Sequence, residues 1–211
     1  MGAHGSVAQR ERAALCDLLE QTGPLAPTLC TGWATSDLAA HLYVRDRKPW
    51  AAIGILVPPL AGVTDKAMES AKRSPGYEGL VAAVRAGPPS FVRPLDEQMN
   101  AVEFFVHHED VRRAKDSGAG TRDDDELDAL IYKRLRLMAR FLARRVHDAG
   151  LVLEAPGFGS IRALERPSVA RLSGPPQELA LYLSGRREVA EVKLDGPEEA
   201  VRAVTTARFG L

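Results

Sequence analysis

The hydrophobic period of this chain changes once, near Gly150, and that change limits the folds open to it. Leu127, Ile131, Leu135, Met138, Leu142 and Val146 recur at helical spacing, with acidic residues in the first turn after Asp124 and Gly150 beyond the end. After Gly150 the runs become short and strand-like: "LVLEA", "SIRAL", "SVARLSG" and "VAEVKLDG". "PPQELALYLSGR" and "PEEAVRAVTTA" read as helices opened by proline, which the first helical position tolerates. A uniform bundle or a uniform sheet does not carry both periods. The expectation is a mainly α chain. A helical bundle occupies residues 1–150 and a small α+β domain residues 151–211, the latter with about 60 residues and little room for a core of its own.

Within the first part, an amphipathic helix spans Val7 to Gln21 and ends at Gly23-Pro24. A second begins near Thr35 or Ser36, whose hydroxyls can cap it, and stops near Pro49. "TDKAMESAKR" and "YEGLVAAVRA" are two shorter helices separated by Ser74-Pro75-Gly76. Pro88, Pro89 and Pro94 mark a linker before a longer helix from about Leu95 to Lys115.

Composition excludes several functions. The formal net charge is zero, whereas nucleic-acid binders carry a basic excess. No apolar run approaches the ~20 residues that span a bilayer, and the longest candidate, "WAAIGILVPPLAG", is broken by Pro58 and Pro59. The N-terminus lacks the apolar core of a signal peptide, so a cytoplasmic protein with neither membrane nor nucleic acid as partner is expected. Cys16 and Cys30 are too few for a disulfide framework and match no zinc spacing; both are expected as reduced thiols.

One helical segment does not fit a simple amphipathic scheme. In "NAVEFFVHHEDVRRA", Glu103, His107, Asp110 and Ala114 lie at i, i+4, i+7 and i+11, along one side of the helix. This is either a solvated polar stripe or half of a metal site. Glu103 and His107 reach the same point beside the helix, and a third ligand would have to come from elsewhere. His108 points roughly 100° away around the helix. Of the other histidines, His4 lies near the terminus and His147 in the last turn of its helix, where it suits the dipole. His41, inside the apolar "DLAAHLYV", remains. A hydrogen bond in the core would satisfy it as well as a metal would.

"LCTGWATSDLAAHLYVRDRKP" and "AVEFFVHHEDVRRA" together resemble the DinB-like superfamily of metal-binding four-helix bundles, and within it the mycothiol-dependent maleylpyruvate isomerase group and its uncharacterised relatives. Gly32, Trp33, Asp37, Leu38, His41 and Leu42 match a Gly-Trp, gap, Asp-Leu-x-x-His-Leu motif. Glu103, His107 and Asp110 match Glu-x3-His-x2-Asp. "VARLSGPPQELALYLSGR" is similar to the small C-terminal domain of these proteins, so the resemblance covers nearly the whole chain. One departure is Ala34, where relatives carry a capping threonine; Thr35 is expected in that role.

The resemblance implies His41, Glu103 and His107 as ligands of a divalent metal, zinc before nickel. Asp110 is then a carboxylate that orients a ligand histidine, or else an ion-pair partner of Arg113 or Arg45. Arg45 and Arg112, with Arg47 and Arg113 beside them, are candidates for an anionic cofactor or substrate, because the guanidinium fork suits carboxylates. Trp33 is read as core packing. The implied activity is that of an enzyme activating a small thiol of the mycothiol type for S-transfer to, or isomerisation of, a small electrophile. A metal-dependent hydrolase and a non-catalytic metal-binding module remain open, because fold and ligand set do not fix a reaction. A monomer and a homodimer are equally compatible with the sequence.

Overall fold

The computed structural model describes residues 5–47, 61–88, 93–116 and 118–210. The expected helix stop at Pro49, the Pro58-Pro59 interruption and Pro89 lie outside these residues, as does His4. The described part is mainly helical, with a four-stranded sheet near the C-terminus. It divides into two compact units, residues 1–119 and 120–211.

The first unit holds five of the described helices: α1 (Val7–Thr22), α2 (Thr35–Arg47), α3 (Ala61–Arg73), α4 (Gly76–Ala86) and α5 (Arg93–Lys115). Helix α1 starts on a capping box, in which the Ser6 hydroxyl accepts from the Gln9 N–H and the Gln9 side chain accepts from the Ser6 N–H. It ends at Gly23, whose φ of 76° falls in the left-handed region. Helix α1 packs on α5 and α4, and α2 packs on α3 and α4. Leu15, Leu19, Leu38, Leu42, Leu80 and Phe104 are fully buried in the shared core. Helix α5 is buried all round from Phe104 to Val111, so its polar residues are interior groups and not a solvated stripe.

Helix α2 starts differently from expectation. Thr35 is its first helical residue, and its hydroxyl donates to the Gly23 carbonyl of the preceding turn. The Asp37 carboxylate caps instead, accepting the Ala34 N–H at 2.9 Å. A small residue thus serves at the cap because the reciprocal half of a capping box does the work.

The second unit contains α6 (Asp125–Leu142), β1 (Gly150–Ala155), β2 (Gly159–Leu164), β3 (Val169–Ser173), α7 (Pro176–Leu183), β4 (Lys193–Asp195) and α8 (Glu198–Thr206). The sheet order is β2-β1-β3-β4; β1 and β3 run parallel, and the outer pairs run antiparallel. Leu151, Leu153, Ile161, Ala170 and Leu172 alternate to the covered face. Pro176 opens α7 at the first helical position, whereas Pro197 stands one residue earlier, at the cap of α8.

The boundary expected at Gly150 is the point where helix gives way to strand, but the units divide earlier, between residues 119 and 120. Helix α6 packs on α7 and β2; Leu127, Ile131 and Leu135 of its apolar stripe are buried in that unit, whereas Met138, expected on the same face, is exposed. The helix also stops at Leu142, earlier than its apolar spacing suggests. Val146 is buried from beyond the helix, and His147 lies outside it rather than in its last turn. No helix among the described residues is long and apolar enough to cross a membrane.

Candidate metal centre

His41 stands midway along α2, whereas Glu103 and His107 stand one turn apart on α5. The two helices bring the three side chains together. The His41 Nε2 lies 3.4 Å from Glu103 Oε1, and the His107 Nε2 lies 3.3 Å from the same oxygen. The imidazoles meet edge to face with ring centroids 5.2 Å apart. Both histidines are buried, and Glu103 keeps 27% of its side chain exposed, which leaves the cluster one open side.

Asp110, one turn beyond His107, is fully buried and takes the Nδ1 hydrogen of His107 at 2.8 Å. That bond holds the ring with Nε2 facing Glu103 and His41, the orientation a ligand histidine needs. The Arg45 Nε lies 3.6 Å from Glu103 Oε1 and adds a cation on the α2 side.

The electrostatics follow from these contacts. Burial works against the charge on Glu103. Hydrogen bonds from His107 and His41, with the charges of His107 and Arg45, nevertheless hold its carboxyl well below the usual carboxylate range. Burial also disfavours a charged His107, but hydrogen bonds with Asp110, Cys30 and Glu103 raise it well above an ordinary imidazole. His41 moves the other way, lowered by burial and by the neighbouring His107 against the pull of Glu103. The space between Glu103 and Asp110 therefore favours a positive charge.

Two donor sets share His107. One is His41, Glu103 and His107; the other is Cys30, His107 and Asp110; within each, the donor atoms lie within 4.8 Å of one another. Once an ion displaces the His107 proton, two imidazoles and a carboxylate would make a donor set suited to zinc, with a position left over for a further ligand. The residues present fit a divalent cation.

A crystal structure of the mycothiol-dependent maleylpyruvate isomerase superposes on 90% of the chain and 90% of its own length, with a TM-score of 0.57 and 16% identity. The fold is that of this isomerase. A histidine-to-alanine mutant of the same enzyme superposes over the same shares with a TM-score of 0.55 and 15% identity. The relationship is distant, and what is shared is the fold. No protein-family model and no curated protein matches the chain.

On this isomerase fold the sequence candidates part company. His41, Glu103, His107, Asp110 and Arg45 come together. Arg112 does not join them: it makes a forked pair with Glu109 on its own helix, and Arg113 pairs with the same carboxylate. Arg47 donates to the Ala83 carbonyl. His108 turns to α1, where its Nδ1 lies 3.6 Å from Glu11. Trp33 packs on the core and also places its ring 5.3 Å from that of His41. Cys30, expected from the sequence only as a reduced thiol, joins the cluster. Its thiol donates to Asp110 Oδ2 at 3.2 Å across 80 residues of chain, a contact no local pattern announces.

Proposed function

We propose that the chain is a divalent-metal-dependent enzyme that activates a small thiol of the mycothiol type, for S-transfer to or isomerisation of a small electrophile. The observation that carries this reading is the convergence of the His41 and His107 Nε2 atoms on Glu103 Oε1 at 3.4 and 3.3 Å, backed by the buried Asp110. The mycothiol-dependent isomerase on the same fold supports the thiol as co-reactant.

His41, Glu103 and His107 would hold the ion, zinc before nickel. Bound there, such an ion supplies a Lewis-acidic centre that lowers the pKa of a thiol. One carboxylate offsets only one of its two charges, so the ligand set favours an anionic thiolate over a neutral thiol. Asp110 keeps the His107 ring turned toward the cluster. Arg45 adds to the histidine hydrogen bonds that keep Glu103 ionised and offers a guanidinium toward an anionic group on the thiol or the electrophile.

The test is calorimetric. Zinc-loaded and metal-free protein are titrated with mycothiol in buffers of different ionisation enthalpy. Heat and the release of a proton at neutral pH are expected from the loaded protein alone. If neither depends on the metal, thiol activation fails as an account, and a hydrolase or a non-catalytic module takes its place.

A further inference from the structure

The segment between α1 and α2 is tied to the candidate centre at two points. The Leu29 N–H donates to the Asp110 main-chain carbonyl at 3.0 Å, and the Cys30 thiol donates to the Asp110 carboxylate at 3.2 Å. The loop is itself tightly held. The Thr28 hydroxyl accepts the Cys30 N–H and donates to the Trp33 carbonyl, and the Trp33 N–H closes a turn on the Cys30 carbonyl. Gly32, at the third position of that turn, has a φ of 79°, as a type II turn requires. The same turn delivers the Trp33 ring against His41.

A buried carboxylate is held in place by the donors around it, and Asp110 is fully buried. One Asp110 oxygen, Oδ2, receives both His107 and Cys30. The thiol therefore helps to set where that oxygen stands, and the oxygen sets the plane of the His107 ring.

We propose that Cys30 is a positioning residue for His107, acting through Asp110 and through its own close approach to the ring, and that the Thr28–Trp33 loop so joins the two histidines in one frame. This rests on the reading of His41, Glu103 and His107 as metal ligands. Cys30 itself touches neither thiol nor electrophile in this account. Its part is to keep His107 Nε2 on target.

The test compares Cys30→Ala, which removes the donor, with Cys30→Ser, which keeps one. Zinc affinity is measured by competition with a chromophoric chelator, and the imidazole nitrogens of metal-free protein are followed by long-range proton–nitrogen NMR. Cys30→Ala is expected to weaken zinc about tenfold, the lower end of the loss seen when a ligand histidine's support is removed. It should also shift the His107 Nδ1 resonance, and Cys30→Ser should restore most of both. Should Cys30→Ala fail to fold, Cys30→Val, close in volume and without a donor, replaces it. Unchanged affinity and an unchanged Nδ1 resonance in the folded donor-free variant would overturn the proposal, as would a Cys30→Ser variant no better than Cys30→Ala. If the parent protein binds no zinc but the Nδ1 resonance still follows the donor at position 30, the metal reading falls and the positioning role stands.

Discussion

His107 and His108 are neighbours in sequence with opposite surroundings. His107 faces Glu103 and Asp110, whereas His108 faces Glu11 on α1. Alanine at His41 or His107 is expected to abolish stoichiometric binding of a divalent metal, as elemental analysis would show. Alanine at His108 should leave stoichiometry intact and cost about 1–3 kcal/mol of stability, because it removes a buried side chain packed beside Glu11. Full metal occupancy in a folded His107→Ala protein would remove that residue from the ligand set. The two thiols also differ. Cys16 is fully buried in the middle of α1, where burial pushes its pKa up to about 11, whereas Cys30 is only half-buried. A disulfide reagent at pH 7.5 should therefore label native protein at Cys30 and spare Cys16, and peptide mapping would show which thiol reacted. Rapid labelling of Cys16 would mean that α1 opens far more readily than its packing implies.

At the scale of the element, the start of α2 matters most, because it carries His41. Asp37 accepts the Ala34 N–H and pairs with Lys72 of α3 at 2.7 Å. Burial raises the Asp37 pKa, but the hydrogen bonds from Lys72 and Ala34 outweigh it and leave the carboxyl below its ordinary value. A lowered carboxyl contributes stability that is present above the unfolded pKa near 3.9 and lost as pH falls through the folded value. Lys72 shifts the opposite way, raised chiefly by its hydrogen bond with Asp37, so its contribution is present below about 10.4 and lost as pH rises further. Asp37→Ala should cost about 1 kcal/mol in urea unfolding at neutral pH. That difference from the parent should shrink as pH drops below about 4. A difference that stayed constant to pH 2.5 would count against the carboxylate as the source. The elements themselves were largely legible: the helices and strands lie close to where hydrophobic spacing puts them, because that spacing is a local property. The cap was not, because Thr35 and Asp37 are both suitable capping residues by type and only the path of the preceding loop chose between them.

The whole molecule divides where the sequence does not show a division. Helix α6 has the same period as the helices before it, yet it covers the sheet after it. Ile131, fully buried on α6, offers a test. Ile131→Ala should destabilise by about 2–5 kcal/mol. Hydrogen exchange should then rise first in β1, β2 and α7, while α2 and α4 keep their protection. Faster exchange confined to the helices of residues 5–88 would place α6 with the wrong unit.

Sequence alone determined the two textures of the chain, the kind of each element, and the pairing of Glu103 with His107, because side chains four apart on a helix must share a face. It also separated His108 from His107 by the same geometry. What only the tertiary structure decided is which distant groups meet. His41 reaches Glu103 across 62 residues because α2 and α5 are set against a common core, and nothing in either helix fixes that register. Arg112 and Arg45 are alike as sequence candidates, yet packing gives one to Glu109 and the other to Glu103. Cys30 meets Asp110 across the core for the same reason. Local periodicity assigns a residue to an element and a face, but the partner across the core depends on how whole elements pack, and that is a property of the folded chain.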